Sequence, residues 1–201
     1  MSASRFYAVL AALLFVAVSA WGGAALFGRI PAPAAEAADE TPPPAGGTLR
    51  GIVLRQELLL PPGEIPAEAE DGARLSAGET GHGSGLYVAG CDGWERLTPE
   101  DAAGLTPEKL DRLLAASPEA PGEAKLVIGR AFFYAAFFAG GTAPEKGALL
   151  RLRFEGWDRP LPARVLSAAA DDAGRRALLL RLTEGEDFLC RARFAEAEIV
   201  S

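Results

Sequence analysis

Gly72-Ala73-Arg74-Leu75-Ser76-Ala77-Gly78-Glu79 and Ser84-Gly85-Leu86-Tyr87-Val88-Ala89-Gly90-Cys91-Asp92-Gly93-Trp94-Glu95 are separated only by Thr80-Gly81-His82-Gly83. The first piece reads as a turn: glycines on both sides of Leu75 permit backbone with positive φ, and the leucine is the apolar group that plugs a small core. The second opens as a strand, Leu86-Tyr87-Val88-Ala89, stopped by Gly90. The glycines between them read as a flexible splice joining two parts of a sheet. They do not make a phosphate cradle, because no Gly-Lys-Ser/Thr ending and no apolar helix follows. His82, the only histidine, stands in this joint without a cysteine or acidic cluster beside it and reads as a solvated loop residue.

Outward from the joint the chain alternates strands, turns and two short helices. Gly51-Ile52-Val53-Leu54-Arg55-Gln56-Glu57-Leu58-Leu59-Leu60 is a β-type run with an Arg-x-Glu centre, closed by Pro61-Pro62-Gly63. Leu97-Thr98-Pro99-Glu100 and Leu105-Thr106-Pro107-Glu108 repeat a helix start, with threonine at the N-cap, proline at the first helical position and acid in the first turn. The first predicts a single turn ending at Gly104. The second predicts a helix from Pro107 to about Ala116 with Leu110, Leu113 and Leu114 on one face. Beyond the proline-rich break at 118–121, Lys125-Leu126-Val127-Ile128-Gly129 and Phe132-Phe133-Tyr134-Ala135-Ala136-Phe137-Phe138 read as a buried strand pair; Arg130 interrupts the run, which is too short to cross a membrane. Further strands are expected at 149–154, 162–167 and 176–182, and the runs 188–194 and 197–200 complete a small barrel.

The 201 residues carry a formal net charge of −7. That balance argues against a nucleic-acid partner, since phosphate binding needs clustered Lys and Arg, and the sequence has neither a basic stripe nor interleaved exposed aromatics. Cys91 and Cys190 are too far apart for a C-x-x-C pair or a zinc site. They are either a disulfide formed outside the cytoplasm or two unrelated small core residues. From Phe6 to Gly28 no residue is charged, and as a helix this stretch reaches about 35 Å, enough to cross a hydrocarbon core. Arg5 precedes it and Glu36, Asp39 and Glu40 follow, which favours the amino terminus inside. The rival reading is a signal peptide cleaved after Val18-Ser19-Ala20, although the apolar run continues through Leu26-Phe27; both readings export the rest. Ile30 to Gly47, rich in Ala, Pro, Glu and Gly, has too few large apolar groups to offset its ordering entropy and reads as a tether.

Taken in chain order, Arg55-x-Glu57, the Gly72–Glu79 turn, Asp92-Gly93-Trp94-Glu95 before a Leu-Thr-Pro-Glu helix, and Lys125-Leu126-Val127 before an aromatic run form an ordered set. Lys146-Gly147 ahead of Leu152-x-Phe154, Pro162-Ala163-x-Val165, and Arg193-x-x-x-Ala197-x-Ile199-Val200 continue it. The set resembles HlyD-type efflux transporter periplasmic adaptors, also called membrane fusion proteins, in their Gram-positive, clostridia-like version. The likeness covers roughly 51–201 and departs where the adaptors carry a long helical hairpin, since only Thr80-Gly81-His82-Gly83 stands there.

The resemblance implies a mainly β fold with an N-terminal transmembrane helix: a reduced barrel-sandwich (lipoyl-like) hybrid, one or two short helices, then a small β-barrel. The expected regions are an anchor at 1–29, a tether at 30–47, the barrel-sandwich-like unit at 48–122 and the barrel at 123–201. No lysine lies between Gly51 and Gly90, so neither lipoyl nor biotin is expected, and no cofactor is assigned. The implied role is a membrane-anchored adaptor-like subunit of an export or efflux system, single-pass in the cell membrane with its C-terminal part outside the cytoplasm. Its expected partners are a transporter permease, further copies of itself, and the lipid bilayer through the N-terminal helix, with no nucleic acid. The alternative is a cell-envelope scaffold that keeps the adaptor fold without a transport role. Asp71, Asp92, Asp171-Asp172 and Glu186-Asp187 lie in predicted turns, where acids are common for backbone reasons. A Ser-His-Asp or Cys-His arrangement would have to recruit His82 from the joint. No catalytic, cofactor-binding or metal-binding residue is therefore assigned.

Overall fold

In Leu149–Phe154 the side chains of Leu150, Leu152 and Phe154 are buried and the alternate ones exposed, the period-two pattern of a strand with one face on a core. A computed structural model describes residues 46–200 except 62, 66 and 121; the anchor expected at 1–29 and nearly all of the tether at 30–47 lie outside the described residues. Among the described residues no helix is long and apolar enough to cross a membrane. The strands are β1 (Gly47–Leu60), β2 (Arg74–Leu75), β3 (Gly85–Ala89), β4 (Ala124–Gly140), β5 (Leu149–Phe154), β6 (Leu161–Ala170), β7 (Arg176–Leu182) and β8 (Phe194–Val200). The helical pieces are α1 (Ala77–Thr80), a 3₁₀ turn (Pro99–Ala102), α2 (Pro107–Ala115) and α3 (Glu186–Leu189).

The protein is mainly β. All pairings are antiparallel, in the order β1-β8-β5-β6-β7-β4-β3-β2, and β1 also pairs with β4, so six of the strands close into a barrel. Closure removes the exposed edges that an open sheet of this size would present. β1 and β4 are long because each is used twice. Residues 47–54 pair with 133–140 inside the barrel, and residues 56–60 pair with 124–128 beyond it, with the register broken between Leu54 and Gln56. β3 joins β4 on that second stretch and β2 joins β3, so one sheet runs across the expected boundary at 122/123. The strand pair expected at 125–129 and 132–138 is one continuous strand. Gly129, at φ 82, lies in the register break where β4 bends.

From Ala131 to Ala139 β4 is continuously apolar because both faces of this stretch are covered. Phe132, Tyr134, Ala136 and Phe138 point into the barrel with Leu49, Leu152, Leu180 and Ile199. Phe133, Ala135 and Phe137 point outward against Trp94, Leu105, Leu110, Leu113 and Leu114, so the 94–115 segment lies on the outside of β1, β4 and β7. α2 begins as its sequence requires: Thr106 Oγ1 accepts from Lys109 N at 3.2 Å, and Pro107 occupies the first turn. It puts Leu110, fully buried, at the centre of that layer. Inside the barrel, burial pushes the Tyr134 phenol well above its ordinary range. Its hydroxyl donates to Ala195 O at 2.7 Å, with Leu49 O 3.2 Å away.

Two local expectations are corrected. The run 188–194 is not a strand: Gly185 takes φ 82, α3 follows, and Leu189 and Cys190 pack into the barrel core before β8 begins at Phe194. Gly78 does not take positive φ. It lies in α1, whose Ser76 N-cap and Glu79 form a capping box, and only Gly72 of the two glycines flanking Leu75 is left-handed.

Candidate functional site

Arg55 lies in the register break of β1 and Glu57 just past it, and their side chains meet on one side of the strand. Lys125 lies on the adjoining stretch of β4, opposite Leu59 and hence diagonal to Glu57 on that face. Arg193 immediately precedes β8, and Asp92 and Glu95 come from the loop after β3. These residues form one cluster of three cations and three carboxylates. Lys125 Nζ is 3.1 Å from Glu57 Oε1, 3.0 Å from Asp92 Oδ2 and 2.9 Å from Glu95 Oε1. Arg55 Nε donates to Glu57 Oε1 at 2.7 Å. Arg193 holds Glu57 and reaches Asp92 with Nε and Nη2 at 3.0 and 3.1 Å. The side chains of Arg55, Glu57, Glu95, Lys125 and Arg193 are all buried, and only Asp92, at 31 %, touches solvent.

Burial raises the carboxyl of Asp92, but the hydrogen bonds and charge of Arg193 and the bond from Lys125 outweigh it and hold the group well below the usual carboxylate range. Glu57 is lowered in the same way, burial being outweighed by Arg55, Arg193 and Lys125. Arg55 is lowered by burial and by the like charge of Arg193. Glu57, Asp92 and Glu95 bring their oxygens within 4.8 Å of one another, a spacing that would suit a metal ion. The Lys125 ammonium sits among those same oxygens, so the cation their charges call for is already supplied by the chain.

The loop carrying Asp92 and Glu95 depends on Gly93. Its φ is 86°, and a Cβ there would lie 2.6 Å from Pro118 O, so only glycine lets the loop turn under the 118–119 backbone. Asp92 Oδ1 accepts from Trp94 N at 3.0 Å and Glu95 Oε1 from Asp92 N at 2.7 Å, which orients both carboxylates. Cys91 borders the cluster. Burial, then the charge of Glu95, pushes its thiol up to about 11. Both Cys91 and Cys190 are free thiols.

The other singled-out residues are dispersed. His82 is exposed but pairs with Glu64, a partner distant in sequence, while Thr80 stitches the joint by donating to Gly83 O at 2.7 Å and accepting from the backbone of His82 and Gly83. Asp71 accepts from Ala89 N and Arg191 Nε, Asp171 pairs with Arg175, and Glu186 pairs with Arg74. Of the turn carboxylates only Asp92 enters the cluster. The fold and site define a closed antiparallel barrel with a small attached sheet, stapled together by a buried, charge-balanced cluster. Comparison with protein-family models, curated proteins and solved structures gives no match to this chain.

Proposed function

We propose that the chain is a membrane-anchored, adaptor-like subunit of an export system, acting by contact with a transporter permease rather than by catalysis. The observation that carries this reading is the makeup of the cluster: Arg55 and Glu57, Asp92 and Glu95, Lys125, and Arg193 come from four separate motifs of the adaptor resemblance, and they are one another's counter-charges. Motifs that depend on each other in space are harder to match by chance than the same number of independent strand patterns. On this reading β2, β3 and the adjoining stretches of β1 and β4 are the reduced barrel-sandwich-like unit, and the segment at 1–29 anchors the protein. A tagged chain purified from detergent-solubilised membranes should bring a transport permease with it.

A second reading, an envelope scaffold, is favoured by the joint. β2 and β3 pair directly, Arg74 with Leu86 and Leu75 with Gly85, through α1 and the loop that Thr80 holds. That connection leaves no reaching arm between them. The same purification separates the two: recovery of cell-division or wall-synthesis proteins in place of a permease rejects the transport role.

A further inference from the structure

No stretch of the sequence is basic, yet the barrel assembles a basic face. Arg151 and Arg153 of β5, Arg164 of β6 and Arg181 of β7 are all exposed, and these strands are neighbours. Leu149, Arg164 and Arg181 stand opposite one another in register across the three strands. Two arginines thus face each other directly, an arrangement that destabilises a sheet unless an anion intervenes. Ion pairs are made by Arg50, Arg55, Arg74, Arg175, Arg191 and Arg193. Among the described residues Arg151, Arg153, Arg164 and Arg181 make none. Glu198 of β8, opposite Arg153, marks one margin of the face, and Val200 stands opposite Arg151. Leu149, at 64 % exposure, projects beside Arg164.

On a chain of net charge −7, Arg151, Arg164 and Arg181, three exposed cations with no acid opposite them in the sheet, call for an external anion. We propose that the outer face of β5, β6 and β7 docks on an anionic phospholipid surface, with phosphates between the arginines and Leu149 entering the headgroup layer. Guanidinium groups match phosphate oxygens bidentately. Arg151, Arg164 and Arg181 lie spread over the outside of a barrel, which suits a surface presenting many phosphates, and a projecting leucine among them suits a surface with an apolar layer beneath. The inference rests on the reading of Phe6 to Gly28 as the anchor that brings this domain to a bilayer.

The test uses the full chain in nanodiscs of phosphatidylcholine, with or without phosphatidylglycerol. Leu149→Cys, in a Cys91→Ser background, carries an environment-sensitive dye. With phosphatidylglycerol the dye should shift to an apolar signal and become shielded from an aqueous quencher, and high salt should reverse both changes. Arg164→Gln with Arg181→Gln should lower the docking equilibrium constant about 25-fold, each arginine near such a surface contributing about fivefold. The melting temperature should not fall, because a like-charge pair is removed. A dye that stays aqueous in phosphatidylglycerol discs, or docking indifferent to the double substitution, overturns the proposal. So does equal shielding when inorganic phosphate is added to phosphatidylcholine discs, which would make a soluble anion the ligand. Failure of the chain to stay in phosphatidylcholine discs instead rejects the anchor, so the two failures are distinguishable.

Discussion

Replacing Lys125 by Met tests the cluster most directly. The substitution keeps most of the side-chain length and packing while removing the one ammonium that lies 3.1, 3.0 and 2.9 Å from three carboxylates, at a side-chain exposure of 2 %. Glu57 and Asp92 would keep their two guanidinium partners, and Glu95 would be left without a cation. Removing one partner of a buried charge set costs about 3–5 kcal/mol, a large share of the roughly 5–15 kcal/mol that a domain has. In urea, where m for a small domain is about 1–3 kcal/mol/M, the midpoint should fall by about 2 M. Adding Glu95→Gln to Lys125→Met should recover about 1–3 kcal/mol, because the amide oxygen can still accept from Asp92 N while the orphaned charge is gone. If Lys125→Met lies within about 0.5 kcal/mol of the parent, or the two substitutions simply add, the cluster is not the staple described.

Stability should be level above about pH 5 and fall as pH drops below it. Asp92 and Glu57 have folded values depressed below their unfolded ones, so their contribution is present above the unfolded range near 4 and lost as pH falls through the folded values; a flat melting temperature down to pH 3 would contradict this. Cys91, with its thiol pushed up to about 11, should be alkylated at pH 8 about two orders of magnitude more slowly than a free thiol, measured by mass spectrometry of the labelled peptide. Two glycines should respond in opposite directions in thermal melts. Gly93→Ala, at φ 86° and against Pro118 O, should lose about 1–3 kcal/mol, whereas Gly78→Ala, in helical backbone with nothing nearer than Ser76 Oγ at 3.8 Å, should gain about 0.4–1 kcal/mol.

Strand positions and helix starts were legible because they are local. The alternation at 149–154, the run at 176–182 and the Thr-Pro starts at 98 and 106 all appear as expected. The 188–194 run misled because its apolar residues serve a helical turn at the barrel, Leu189 and Cys190 buried in the core and Phe188 half-buried against it. Gly78 misled because glycine signals freedom without saying whether it is used. The pieces of the cluster were each visible, Arg55-x-Glu57 and Asp92-Gly93-Trp94-Glu95 above all, but their meeting depends on β1 and β4 bending out of the barrel together. No local pattern encodes that. The basic face was missed for the same reason, its arginines being contributed by three strands whose adjacency is tertiary.

Charge at this place in the fold follows from the backbone as much as from the side chains. β8 pairs with β1 only over 48–52, and Val53 N to Arg193 O at 2.7 Å is the last bond before the two strands part. Beyond it, carbonyls at the end of α3, in the turn that follows and on β1 need donors other than a β ladder. Arg55 Nη1 donates to Leu189 O at 2.7 Å and to Ala192 O at 2.6 Å, and Arg193 Nη1 donates to Val53 O at 3.1 Å. Guanidinium groups suit the task because their fork of donors serves carbonyls on one side and carboxylates on the other, which neither lysine nor an apolar side chain can do. Glu57, Asp92 and Glu95 then follow as the anions that let two buried guanidiniums and an ammonium remain charged. The divergence of β8 from β1, which opens the barrel wall to admit the small sheet, is thus the physical reason a polar cluster exists where an apolar core would otherwise continue.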